Sequence, residues 1–297
     1  MKENNNKHAL ITGATSGIGY ELAKLFAADN YNLILVARNR ENLEITAREM
    51  EALAKENHVH IIESDLFEPG AAEEIYAKTT ALGVTVDVLV NNAGQGEWGK
   101  FSTTDLQREI DIVQLNIIAM MSLTKLYLKD MLARNEGKIL QLASSASKAP
   151  SPYLSVYAAT KAFVLSLSEA LMKEIEDTNV TITVLRPGPT DTDFFHKAKG
   201  ENSTVYKEMP MYTPEEVAKA GFKGLMDGDA VVMPGMMNKM QEAANLVMPD
   251  SMVAGTMKKQ MEPSDKADGK TKIDHPASAR ERESINELNE DTNGDYA

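Results

Sequence analysis

Tyr157 and Lys161, within Ser155-Val-Tyr-Ala-Ala-Thr-Lys-Ala-Phe163, are the pair around which a chemistry can be built. They open a long apolar-periodic run. If that run is helical, their i,i+4 spacing projects both side chains from one face, one turn apart. A free phenol has a pKa of about 10, too high for proton exchange near neutrality, and a fixed ammonium favours the phenolate and lowers that value. So tuned, Tyr157 can protonate a carbonyl oxygen as the carbon receives hydride, or take the proton of an alcohol in the reverse direction. Ser144 lies 13 residues before Tyr157, just after the apolar run Gly137-Lys-Ile-Leu-Gln-Leu-Ala143. A hydroxyl at the mouth of a strand can orient the same oxygen. A Tyr and a Lys at this spacing also arise by chance, so the surrounding elements must carry the weight.

Those elements alternate. His8-Ala-Leu-Ile-Thr12 is a short apolar run ending in a glycine-rich turn, and Ile18, Leu22, Leu25 and Phe26 follow at helical spacing. Strands are expected again at residues 32–37, 58–62, 86–90, 138–142, 180–185 and 230–233. The segments between read as helices: about 41–56, 69–82, a helix pair over 105–134, the Tyr157 helix to about 176, and 214–226. Continuous apolar strands alternating with helices predict one α/β domain, a doubly wound sheet of about seven parallel strands with helices on both faces. We place it at residues 8–261, after a polar extension (1–7) and before a disordered acidic tail (262–297). Residues 236–261 are Met-rich and suit either helical core packing or an adaptable lid over an apolar pocket.

The turn Thr12-Gly-Ala-Thr-Ser-Gly-Ile-Gly19 joins the first strand to the first helix. Its glycines, Gly13, Gly17 and Gly19, let the backbone turn tightly and approach a pyrophosphate, which the helix N-terminus then holds. The spacing is Gly-x3-Gly-x-Gly, not the Gly-x-Gly-x-x-Gly of the dinucleotide fingerprint. Joined to Tyr-x3-Lys, to Asp65, to Asn91-Asn-Ala-Gly94, to Asn116, to Ser144 and to Arg186-Pro-Gly188 leading to Thr192, it resembles the short-chain dehydrogenase/reductase family in its compact single-domain branch. The resemblance covers about residues 8–235.

That resemblance implies a Rossmann-type fold and roles at matching positions. Ser144, Tyr157, Lys161 and Asn116 would form the catalytic set, with Tyr157 and Lys161 also binding the cofactor, Lys161 at its ribose, and Asn116 holding a water that connects Lys161 to solvent and resupplies protons. Thr15, Ser16 and Ile18 would bind the cofactor together with the glycines of the turn. Asp65 and Leu66 would meet the adenine, although Asp65 also suits a helix cap. Asn92, Ala93 and Gly94 would floor the site; Pro187, Gly188, Thr190 and Thr192 would anchor the carboxamide end. Gln141 and Ala143 depart from the family pattern, and Ser145 is the fallback hydroxyl. A homodimer or homotetramer through the helices flanking the catalytic strand is also implied.

Cofactor choice follows from charge. After the second strand the chain has Ala37-Arg38-Asn39-Arg40, with no carboxylate to face ribose hydroxyls and an Arg38 fork that suits a phosphate. NADP(H) is therefore expected over NAD(H), with Arg40 as a lesser contributor.

Other classes are excluded or set aside. A net charge of −13 argues against a nucleic-acid partner, and the absence of cysteine removes thiol nucleophiles and thiolate metal sites. No apolar run approaches the roughly 18–20 residues of a membrane span, so no integral membrane segment and a cytoplasmic location are expected. No metal is expected: His58 and His60 share a strand face without a third ligand, and Glu73-Glu74 and Glu215-Glu216 point apart on helices. Trp98 either walls the substrate site or packs in the core. The sequence thus predicts an NADPH-dependent oxidoreductase on a small carbonyl or secondary alcohol, with a catalytically silent cofactor sensor or scaffold as the alternative. The pocket loops, 95–101, 145–154 and 194–211, carry no charge cluster that names a substrate.

Overall fold

The computed structural model describes residues 6–53, 57–235 and 248–264. Strands β1 (His8–Thr12), β2 (Asn32–Ala37), β3 (Val59–Glu63), β4 (Val86–Asn91), β5 (Gly137–Leu142), β6 (Val180–Leu185) and β7 (Val231–Val232) form one parallel sheet in the order β3-β2-β1-β4-β5-β6-β7. Successive residues explain the uninterrupted apolar runs. On β2, Leu33 and Leu35 enter one core cluster while Ile34 and Val36 enter the other, so neither face is left for polar side chains.

The helices are α1 (Gly17–Ala28), α2 (Arg40–Leu53), α3 (Ala71–Ala81), α4 (Leu106–Val113), α5 (Met120–Arg134), α6 (Ser155–Glu174), α7 (Phe194–Lys197), α8 (Thr204–Glu208), α9 (Pro214–Asp227) and α10 (Asp250–Met261). Phe26, Met50 and Leu225 bring α1, α2 and α9 onto one face of the sheet. Ile75, Leu123 and Met131 bring α3 and α5 onto the other. Helix α9 has the start its sequence calls for: Pro214 opens it, and Thr213 and Glu216 exchange hydrogen bonds in a capping box.

Three expectations are corrected. Residues 105–134 form one continuous helix, Leu106–Arg134, rather than a pair. No Gly or Pro interrupts it, and a π-helical stretch, Gln114–Ala119, slips the apolar rhythm so that it reads as two helices. By length and composition this helix is apolar enough to cross a membrane, contrary to the expectation from apolar runs; here Leu115, Leu123, Leu128 and Met131 pack it against the sheet. The loop expected after β6 contains the short helices α7 and α8. The polar extension, the Met-rich segment and the acidic tail lie wholly or partly outside the described residues. Of these, Lys7 pairs with Glu136 at 2.9 Å, and Pro263 bridges to Ser203.

The strand order reverses direction between β1 and β4. In open α/β sheets the crevice beyond the carboxyl ends of the strands at that point is where ligands bind.

Candidate active site

A cavity of about 770 Å³ opens there, lined from the glycine turn to α10. The turn is held by its neighbours in the sheet. The Thr12 hydroxyl accepts from the Asn92 and Ala93 amides at 3.0 Å each and donates to the Val90 carbonyl at 3.3 Å. Asn92 Nδ2 donates to the carbonyls of Thr12, at 2.9 Å, and Gly13, at 3.1 Å. Asn92 therefore locks β4 to the turn while also lining the cavity.

Gly13 and Gly17 adopt φ of +65° and +55°, the left-handed region that excludes most side chains. Gly19 has a different reason: a Cβ there would sit 2.2 Å from the Gly13 carbonyl oxygen. Gly19 packs the helix on the turn and does not line the cavity, whereas Gly13, Thr15, Ser16, Gly17 and Ile18 do. Ser16, the N-cap of α1, makes no side-chain cap bond, so the first-turn amides are left for an anion. A Cβ on Gly17 would meet Thr192 Cγ2 at 3.1 Å, which shows how closely residues 187–192 approach the turn. Pro187, Gly188, Thr190 and Thr192 all line the cavity, and the Thr190 hydroxyl donates to the Gly188 carbonyl at 2.9 Å. This cradle fits a dinucleotide pyrophosphate.

Beyond β2 and β3, Arg38, Asp65 and Leu66 line the same cavity. Asp65 does not cap α3, whose N-cap is Gly70; its Oδ1 accepts from the Phe67 amide at 3.0 Å. The Arg38 guanidinium lies 3.9 Å from Asp65 Oδ2 and 5.3 Å from the Phe67 ring centre. Arg40 is turned away, bonded to Glu44 of its own helix at 3.0 Å.

At the opposite end, Ser144, Tyr157 and Lys161 line the cavity together with Ala93 and Gly94. Ser144 follows β5, and Tyr157 and Lys161 occupy the first two turns of α6. Tyr157 is half-buried, and burial pushes its phenol up to about 12, while a hydrogen bond with Ser144 pulls the other way. Burial draws the Lys161 ammonium down to about 8. The expectation that Lys161 lowers the Tyr157 pKa is therefore not met in the protein alone. Lys161 Nζ donates to the Leu142 carbonyl at 2.8 Å and lies 5.7 Å from the centre of the Tyr157 ring, over its face. Only Ser144 bears on the phenol in the favourable direction.

Asn116 sits in the π-helical stretch, behind the cavity wall. Its Nδ2 donates to the Gln95 carbonyl and the Thr160 hydroxyl, each at 2.9 Å, and its Oδ1 accepts from the Gln95 amide at 3.1 Å. A Cβ on Gly94 would lie 3.0 Å from Lys161 Nζ and 3.3 Å from Asn116 Oδ1, so these two groups converge on a residue that must lack a side chain. Gln141, which departs from the family pattern, is fully buried between β5 and α5. It accepts from Asn91 at 3.1 Å and donates to Thr124 at 2.8 Å.

Sequence reasoning missed a polar network beside the floor. Arg108 of α4 donates to the Gln95 side chain and lies 3.6 Å from the buried Glu97, which also pairs with Lys199 at 2.9 Å. No local pattern signals it, because Lys199 is 102 residues from Glu97. Leu154, Phe194 and Phe195, within the expected pocket loops, wall the cavity, whereas Trp98 stands behind the wall, stacked on Tyr153 at 5.6 Å. His60 stacks on His8 with ring centres 6.5 Å apart.

The comparisons agree with this geometry. The chain is 32% identical over 213 residues to dehydrogenase/reductase SDR family member 7B of Mus musculus, covering 71% of this chain and 66% of that protein. It thus spans slightly less than two thirds of that relative's length. It is also 32% identical over 246 residues to the NADP-dependent 3-hydroxy acid dehydrogenase of Schizosaccharomyces pombe, covering 78% of this chain and 92% of that one. Among solved structures, a short-chain dehydrogenase from Sphingobium yanoikuyae in complex with NADPH superposes with a TM-score of 0.74 at 25% identity, over 88% of this chain and all of that one. The family model described as short chain dehydrogenase matches residues 7–203. With the glycine turn and the Tyr157–Lys161 pair both lying within that match, the chain belongs to the short chain dehydrogenase family.

Proposed function

We propose that this chain is an NADPH-dependent oxidoreductase that interconverts a carbonyl and a secondary alcohol, favouring reduction. The observation that carries the proposal is that Ser144, Tyr157 and Lys161 line one cavity with the glycine turn. When bound, the nicotinamide supplies or accepts the hydride. The residues of the chain do the rest. Tyr157, held protonated across the physiological range, donates its proton to the substrate oxygen as negative charge develops there. The Ser144 hydroxyl, already paired with the phenol, is positioned to polarise the same oxygen. Lys161, fixed through the Leu142 carbonyl, brings positive charge to the site, and Asn116 supports proton resupply from behind Gly94.

NADP(H) is preferred over NAD(H) in this proposal because Arg38 borders the cavity. The kinship with an NADP-dependent relative and an NADPH complex supports it. A cytoplasmic homodimer or homotetramer belongs to the same proposal. Leu106, Ile110, Ile118 and Met121 leave an exposed apolar stripe along the continuous helix, a surface suited to a second copy. Light scattering of the wild type against Ile118→Lys tests the assembly, with a smaller particle expected for the variant.

The activity is tested by NADPH consumption over a panel of ketones, aldehydes and quinones, with Tyr157→Phe beside the wild type. Turnover that the variant loses while still binding NADPH supports the proposal. Tight NADPH binding without turnover across the panel favours a cofactor sensor.

A further inference from the structure

Tyr157 packs on an apolar cluster that the proposed chemistry does not use. Its ring lies 4.8 Å from that of Phe194, and Leu154, Phe195, Val205, Met257 and Met261 complete the buried part of the cluster with Tyr206 and Val253. Most of these side chains also line the cavity. Val253, Met257 and Met261 recur every four residues along α10, so one stripe of that helix closes the end of the cavity where Tyr157 acts.

The closure is a built part of the fold. The Trp98 indole N–H donates to the Met261 carbonyl at 2.9 Å, and the Thr204 amide and hydroxyl both donate to the Glu262 carbonyl, at 2.9 and 3.0 Å. The Lys207 ammonium donates to the Ser264 carbonyl at 2.8 Å. These bonds hold the carboxyl end of α10 against the floor loop and against α8. Lys148, Asp193 and Lys197 also line the cavity, but each is already engaged with another group.

We infer that the substrate is a carbonyl compound with a large, uncharged apolar body, and that Met257 and Met261 are specificity-determining residues that grip this body. The inference rests on the oxidoreductase proposal for the reaction itself: the carbonyl carbon takes the hydride from NADPH and the oxygen takes the Tyr157 proton. Thioether side chains suit such a body because they are polarisable and fill irregular shapes. A charged terminus against Met257 and Met261 loses its hydration and gains no partner from these thioethers.

The test is kcat/KM for methyl ketones of increasing alkyl length, beside a rigid fused-ring ketone and a long ketone ending in a carboxylate. A gain of roughly fourfold per added methylene is expected, equivalent to about 0.8 kcal/mol. The terminal carboxylate should erase it. If only the fused-ring ketone is turned over well, the apolar body is polycyclic rather than a chain. Met257→Gln and Met261→Gln should reduce the gradient to about twofold per methylene or less, as the wall becomes polar. Met252→Gln, on the same helix but 56% exposed, should leave it unchanged. A flat dependence on length together with poor turnover of the fused-ring ketone, or a gradient equal in the wild type and Met257→Gln, overturns the inference.

A second readout separates this from failure of the oxidoreductase proposal. Trp98 is the sole tryptophan and is bonded to Met261, so its fluorescence reports on the wall. Titration with long and short ketones in the presence of NADP+ should change it at lower concentration for the longer ones. That dependence without turnover keeps the apolar wall and sinks the reductase proposal; no dependence on length overturns the wall.

Discussion

The two ends of the cavity are built by different physics. At the glycine turn the fit is set by backbone: positive φ at Gly13 and Gly17, the Thr12 hydroxyl bound three ways, and Asn92 bridging two carbonyls. At α10 it is set by side-chain packing of Met257, Met261 and Val205, with hydrogen bonds only at the helix end. A backbone-defined site tolerates few residues at each position and binds one ligand shape. A methionine wall tolerates exchange and adapts to what it encloses. The fit is thus fixed by backbone where a cofactor is expected and by exchangeable side chains at the wall proposed to meet the substrate.

Substitutions test that contrast. Apart from Tyr157 itself, the largest effect is expected for Lys161→Met, which should lower kcat/KM on the order of 10²-fold or more. The same change should stabilise the fold by about 1–3 kcal/mol at pH 7, because it removes an ammonium whose folded pKa, about 8, lies below its unfolded value of 10.5. In that direction the cost of the charge is fully present below pH 8 and fades as pH rises to 10.5, since between them the unfolded chain binds more protons. Denaturant titrations of both proteins at pH 7 and near 10.5 check it; a variant less stable at pH 7 contradicts the assignment.

Gly19→Val comes next. With even a Cβ meeting the Gly13 carbonyl oxygen at 2.2 Å, the turn must shift, and a loss of about 1–3 kcal/mol of stability with impaired NADPH binding is expected by thermal melts and titration. At the exposed rim of the same end, Arg38→Ala should weaken NADPH about tenfold and leave NADH within twofold, a modest effect because the guanidinium is open to solvent. The smallest effect belongs to the compliant end. Trp98→Phe removes the bond to Met261 and trims the ring stacked on Tyr153, and should cost about 0.5–1.5 kcal/mol of stability, with a larger relative loss in kcat/KM for long ketones than for short ones.

Legibility in the sequence divides along the same line. The core strands could be read because a strand covered on both faces must be apolar throughout, and Val180–Leu185 falls where it was expected. The cavity-lining turn, Ser144, Tyr157 and Lys161 could be found because local spacing on a strand end or one helix face places them. Other features depend on partners distant in the chain. Glu97 gives no sign of being buried until Arg108 and Lys199 surround it. The four-residue α7 and five-residue α8 are too short to complete an apolar period, so residues 194–211 read as a pocket loop, with their place at the cavity legible and their helical form not. The direction of the Tyr157 shift was also out of reach, because desolvation is a property of the assembled site and outweighs what a neighbouring ammonium suggests on paper.

The most direct test of the central claim is single-turnover NADPH oxidation with a long-chain ketone, wild type against Tyr157→Phe, each saturated with cofactor. A rate lower by on the order of 10²–10⁴-fold is expected in the variant, with NADPH affinity retained. Equal rates in the two proteins would contradict it, and the proton donor would have to be sought elsewhere in the cavity.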